Sequence, residues 1–133
     1  MKVPEQLQFI VNARAPQRRS DRRMDGRAVV ITGATSGVGY HAARRFAAGG
    51  ADLVLVCRNP EKAERVRSEL SVELGSRVSL VIADFSRLAD VREAAGRILA
   101  AVPRIDVLIN NAGVHMTHRL LTPDGNETAF AVN

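Results

Sequence analysis

The stretch Thr32-Gly33-Ala34-Thr35-Ser36-Gly37-Val38-Gly39 follows a short apolar run and opens an amphipathic one. Those patterns in that order spell a strand, a glycine turn and a helix start. The run before it, Arg27-Ala28-Val29-Val30-Ile31, is β-branched and apolar enough for a strand buried on both faces, as parallel strands are. After it, Val38, Ala42 and Phe46 recur every fourth residue while Arg44 and Arg45 fall off that stripe, so the helix is expected to bury that side. Glycine lets the backbone turn sharply and approach a ligand with no Cβ in the way. The free N–H groups and dipole of the helix that follows favour an anion, most often a phosphate. The spacing Gly33-x-x-x-Gly37-x-Gly39 is neither the GxGxxG of many dinucleotide folds nor a P-loop, which ends in Gly-Lys-Ser/Thr. Alone, the turn also fits a glycine bend with no ligand, so the rest of the chain decides.

From residue 27 onward, strand and helix patterns alternate. A strand over 27–32 leads to a helix over 37–48, stopped by Gly49-Gly50. A second strand covers 53–57, after which Asn59 can cap a helix with Pro60 in its first turn and Gly75 at its end. A third strand covers 78–83, and Ser86 is expected to cap a helix reaching about Val102, before Pro103. A fourth strand covers 107–110. This alternation predicts an α/β fold, a doubly wound parallel sheet with right-handed crossovers. In such sheets ligands bind beyond the carboxyl ends of the strands. The glycine turn, Arg58, Asp84, Asn110 and Asn111 all fall at those ends.

Composition bounds the rest. The 133 residues make one domain, 46% hydrophobic and 25% charged, which is a globular balance. No apolar run approaches bilayer-spanning length, and a cytoplasmic protein is expected. The one cysteine, Cys57, excludes an internal disulfide, agrees with a reducing compartment, and is read as a packing residue at a strand end. His41, His115 and His118 lack partners at metal-ligand spacing, so no metal site is expected.

The net charge of +5 is uneven, because residues 1–27 carry +4 of it through Lys2, Arg14, Arg18, Arg19, Arg22, Arg23 and Arg27. Residues 1–25 are read as a basic, flexible leader or a short helix around Leu7, Phe9, Ile10 and Val11, and 26–133 as the domain. No aromatic residues interleave the arginines, so a solvated tail is expected ahead of a nucleic-acid or anionic-surface binder. Met24 directly precedes the first strand and is an alternative start of translation.

Thr32, Gly33, Gly37 and Gly39 match the TGxxxGxG motif in full, and Asn110-Asn111-Ala112-Gly113 matches NNAG after the fourth strand. On these two motifs the chain resembles the short-chain dehydrogenase/reductase family from residue 27 to 133. Cys57-Arg58-Asn59-Pro60 and Pro123-Asp124-Gly125-Asn126-Glu127 resemble its retinol dehydrogenase-like branch. The resemblance implies the first half of a Rossmann-type sheet, in strand order 3-2-1-4, with the fourth strand left as an apolar edge. It implies a nicotinamide coenzyme held by Thr32, Gly33, Thr35, Ser36, Gly37, Val38 and Gly39, by Arg58, by Asp84 and Phe85 at the adenine, and by Asn110, Asn111, Ala112 and Gly113. Asn110 would position the ribose region and support the central sheet. Arg58 stands where relatives that prefer NAD place an acid, and a guanidinium there pairs with a 2′-phosphate. NADP(H) is therefore expected over NAD(H), because Asp52 sits at the wrong end of its strand. By register, Asn133 occupies the position of the Asn that joins a catalytic Ser, Tyr and Lys.

Those three partners do not occur here. The single tyrosine, Tyr40, is followed four residues later by Arg44, and lysine stands only at positions 2 and 62. The expected reading is an N-terminal fragment of a reductase for small carbonyl or alcohol substrates, inactive alone, whose full-length parent is a homo-oligomer. A dinucleotide-binding module without enzyme activity shares the same motif and stays open.

Overall fold

The computed structural model describes residues 4–16 and 20–133. The leader residues Lys2, Arg18 and Arg19 lie outside the described residues. Strands β1 (Ala28–Thr32), β2 (Asp52–Cys57), β3 (Val78–Ile82) and β4 (Val107–Ile109) alternate with helices α2 (Gly37–Ala48), α3 (Pro60–Leu74) and α4 (Leu88–Ala101). Helix α1 (Gln8–Arg14) precedes them and α5 (Thr128–Val132) follows. All strands pair in parallel in the order β3-β2-β1-β4, as expected for the half of a doubly wound sheet. The register sets Val30 against Val54 and Leu108, and Val54 against Ser79.

Successive strand residues point to opposite faces, and both faces of the inner strands are covered. Val29, Ile31, Leu53, Leu55 and Cys57 meet Ala43 and Ala47 of α2 and Ala63, Val66 and Leu70 of α3. Val30, Val54, Val56 and Val81 meet Ala94 and Ile98 of α4. The β-branched run before the glycine turn is therefore buried on both sides. β4 pairs only with β1 among the described residues, and Leu108 on it is 54% exposed.

Two expectations are corrected. On α2 the buried line is Gly39, Ala43 and Ala47, while Val38 is 79% exposed and Ala42 and Phe46 only flank the core. The small residues face the sheet because the helix lies too close to β1 and its turn for larger ones. At α4, Ser86 is not the cap: the N-cap is Arg87, with no side-chain bond, and the Leu88 amide donates instead to Asp124 Oδ2 at 2.7 Å. The expected capping of α3 is observed, with Asn59 Oδ1 accepting the Lys62 amide at 2.8 Å and Gly75 left-handed at φ 64°.

Leu7, Phe9, Ile10 and Val11 are exposed on and beside α1. Met24 joins the domain, donating its amide to the Gly49 carbonyl at 2.8 Å and packing on the core. Among the described residues no helix is long and apolar enough to cross a membrane.

Candidate functional site

Each glycine of the turn answers a different constraint. Gly33 adopts φ +67°, and a Cβ on it would lie 2.8 Å from Ala112 Cα. Gly37 adopts φ +55° but faces open space, with nothing within 4 Å of its would-be Cβ. Gly39 sits where a Cβ would come 2.4 Å from Asn111 Nδ2 and 2.5 Å from the Gly33 carbonyl. The first and third glycines let α2 and the NNAG loop close against each other, and the second leaves room in front of the helix. Ser36 is exposed at the N-cap and makes no side-chain cap bond. The first amides of α2 thus keep their capacity to bind an anion.

Behind the turn, Thr32 and Asn111 lock β1 to β4. Thr32 Oγ1 accepts the amides of Asn111 at 3.0 Å and Ala112 at 2.9 Å. Asn111 Nδ2 donates to the carbonyls of Thr32 at 3.0 Å and Gly33 at 3.1 Å. Thr32 is buried, so its hydroxyl is spent on backbone and positions the loop from behind the cleft. The sheet-tying role expected of Asn110 belongs to its neighbour Asn111, and Asn110 is exposed at the end of β4.

A cleft of about 570 Å³ opens at the carboxyl ends of the strands. The glycine turn lines it through Gly33, Thr35 and Ser36, the end of β2 through Cys57 and Arg58, the end of β3 through Asp84 and Phe85, and the end of β4 through Asn111, Ala112 and Gly113. Val114 and Met116, together with Thr128 and Val132 of α5, complete its lining. Arg58 is exposed on the rim and Lys62, one turn into α3, lines the same cleft. Neither is held in an ion pair among the described residues. The spacing from the Asn59 cap puts Lys62 in the first turn beside Arg58, a signal the sequence reading passed over. Asp52, at the other end of β2, is held by Arg77 at 2.8 Å.

Asp84 folds the loop after β3 onto itself: its Oδ1 accepts the Ser86 amide at 2.9 Å. That bond, more than the cations Arg58 and Arg87 nearby, holds its carboxyl below the usual carboxylate range. Asp84 is therefore an acceptor facing the cleft at neutral pH. Phe85 lines the cleft and packs on the core beneath it.

Asn133 clasps the loop after NNAG. Its Oδ1 accepts the Val114 amide at 2.7 Å and its Nδ2 donates to the Val114 carbonyl at 3.0 Å. A Cβ on Gly113 would stand 3.3 Å from that oxygen. Helix α5 is held for this by Glu127, whose carboxylate accepts the amides of Ala129 and Phe130. Of the sequence-predicted residues, Gly33, Thr35, Ser36, Arg58, Asp84, Phe85, Asn111, Ala112 and Gly113 line this cleft, whereas Thr32, Gly37, Val38, Gly39, Asn110 and Asn133 do not. Thr32, Asn111 and Asn133 bond backbone groups, and the Val38 side chain lies in solvent.

The family model described as short chain dehydrogenase matches residues 27–133. The chain belongs to the short-chain dehydrogenase family. Members of this family are NAD(P)-dependent oxidoreductases, and several relatives are retinol dehydrogenases. A protein of Streptomyces sp. (strain C5) assigned as a daunorubicin C-13 ketoreductase is 44% identical over 110 residues, covering 83% of this chain and 38% of that protein. Human retinol dehydrogenase 13 is 36% identical over 115 residues, 86% of this chain and 35% of that protein. L-sorbose reductase from Gluconobacter frateurii, solved with NADPH and L-sorbose, superposes with a TM-score of 0.68 at 32% identity, over 73% of this chain and 37% of that one. This short-chain dehydrogenase chain spans little more than a third of the length of these relatives.

Proposed function

We propose that this chain forms the coenzyme-binding portion of an NADP(H)-dependent short-chain dehydrogenase, which exchanges a hydride between nicotinamide and a carbonyl or alcohol substrate. The observation that carries the reading is the meeting in one cleft of the uncapped α2 N-terminus at Ser36, the acceptor Asp84 and the cations Arg58 and Lys62, which form no ion pair among the described residues, with open space beside Gly37. These residues fit a dinucleotide. The amides of α2 would take the pyrophosphate, Asp84 the adenine amino group and Arg58 the 2′-phosphate, for which an Arg is suited because it bonds phosphate oxygens two at a time. When bound, the coenzyme supplies or accepts the hydride. Asn111 and Asn133 would keep the loop beside it in place. The 133 residues hold no Tyr-x-x-x-Lys, so the proposal gives them coenzyme binding and gives proton transfer to residues outside them. A small-molecule substrate and a homo-oligomeric assembly belong to the proposal for the whole protein.

Calorimetric titration of the chain with NADPH and NADH tests this. NADPH is expected to bind more tightly, and Arg58→Ala to weaken NADPH by about ten- to a hundredfold while leaving NADH nearly unchanged. A folded chain that takes up neither coenzyme overturns the reading. Equal effects of Arg58→Ala on both coenzymes overturn the assignment of Arg58. Turnover of a carbonyl by the chain alone overturns the placing of proton transfer outside it.

A further inference from the structure

The start of α4 is closed from a distant loop. Leu88, its first residue, donates its amide to Asp124 Oδ2 at 2.7 Å. The four residues before it form a tight bend around Asp84. The Asp84 carbonyl accepts the Arg87 amide at 3.0 Å, its carboxylate accepts the Ser86 amide, and its own amide donates to Asp90 Oδ2 at 3.2 Å. Asp84, Phe85 and Ser86 line the cleft. Asp124 therefore anchors the outer end of the bend that carries Asp84 to the site.

The anchor has its own support. Thr122 is buried, its amide donates to the Asn126 carbonyl at 2.8 Å, and its carbonyl accepts the Gly125 amide at 2.9 Å. Leu121 and Glu127 form an antiparallel bridge, which closes the loop at its base. Directly after that base comes α5, whose Thr128 and Val132 form the opposite wall of the cleft. One loop thus joins the wall at α5 to the bend at Asp84.

We propose that Asp124 is a positioning residue for the adenine end of the coenzyme, fixing the α4 start so that the Asp84 carboxylate meets the adenine amino group. This rests on the coenzyme reading above. A helix whose first amides lose their acceptor frays at that end, and the bend that leads into it then loses its fixed position. Asp124 touches neither the adenine nor the phosphates in this account. Its effect passes through Leu88 and the bend.

The test pairs a protein change with a ligand change. NADPH and its hypoxanthine analogue, which carries an oxygen in place of the adenine amino group, are titrated into the wild-type chain, Asp124→Asn and Asp124→Ala. The wild type is expected to prefer NADPH. Asp124→Asn keeps an acceptor oxygen and keeps the preference. Asp124→Ala weakens NADPH about three- to tenfold and leaves the analogue nearly unchanged, so the preference shrinks by the same factor. A purely structural role weakens both ligands alike, and that result, or no change in either, overturns the proposal. Should Asp124→Ala not fold, Asp124→Ser, whose shorter side chain falls short of the Leu88 amide, takes its place in the cycle. A wild-type chain that binds neither ligand overturns the coenzyme reading itself, a result separate from the loss of preference.

Discussion

Asn111 donates two hydrogen bonds to Thr32. Its amide donates to the threonine hydroxyl at 3.0 Å, and its Nδ2 donates to the Thr32 carbonyl at 3.0 Å. Thr32 is only 6% exposed, so water is a poor substitute for either partner. The pair fastens the ends of β1 and β4 where the glycine turn and the NNAG loop face the cleft. It makes the two motifs one structural unit.

Thr32→Val removes an acceptor from two backbone amides at once while keeping shape. Leaving buried donors unpaired is expected to cost about 1–3 kcal/mol, read as a lower urea midpoint. Thr32→Ser keeps the acceptor and is expected to stay much closer to the wild type. Equal midpoints for the two variants would contradict the role given to the hydroxyl.

Gly37→Ala and Gly39→Ala separate backbone conformation from close approach. At Gly37 the added methyl meets open space, and the cost is that of a left-handed L residue, about 1–2 kcal/mol. At Gly39 it collides with Asn111 Nδ2 and the Gly33 carbonyl, and α2 must move away from the loop. Gly39→Ala is expected to lower the thermal midpoint further than Gly37→Ala, and its amide spectrum to show shifts at Asn111 and Ala112. Similar midpoints and an unperturbed NNAG loop would speak against close approach as the reason for Gly39.

Stability should fall in acid through Asp106. Arg27 bonds its carboxylate at 2.9 Å, and the Ala28 amide at 3.0 Å and Arg104 at 2.6 Å add to the hold. The Arg27 bond first, then the Ala28 amide, keep the Asp106 carboxyl below the usual range. A group whose folded pKa is lowered stabilises fully above its unfolded value, about 3.9 for Asp, and the contribution is lost as pH falls through the folded value. Urea midpoints measured from pH 7 down to 2 are expected to drop less steeply for Asp106→Asn. A residual slope remains, because Asp84 and Glu127 are lowered in the same sense. Salt should flatten the difference, since Arg27 and Arg104 are mostly exposed. An unchanged slope in the variant would remove Asp106 from the account.

Cys57 should be silent toward thiol reagents in the native chain. It is 3% exposed at the end of β2, and burial pushes its thiol pKa up, so the reactive thiolate is scarce. Labelling by a disulfide reagent at pH 8 is expected to be negligible without denaturant and to rise with urea along the unfolding curve. Rapid labelling of folded protein would show that the strand end opens locally.

Much of this protein was legible in the order of its residues. The β-branched runs and the breaks at Gly49, Pro60, Gly75 and Pro103 marked the elements, because periodicity and turn chemistry are local properties of the chain. The strand ends followed, and with them the rim that carries Arg58, Asp84 and Asn111. Only tertiary structure decided which side chains face the cleft and which hold it together. Val38 points to solvent because small residues alone fit between α2 and the sheet. Asp124 displaces Ser86 as the support of α4, and Asn111 takes the role expected of Asn110, because a hydrogen bond is awarded by distance between segments far apart in sequence. Local pattern determines what an element is. Which of its atoms find a partner depends on where the other elements come to rest.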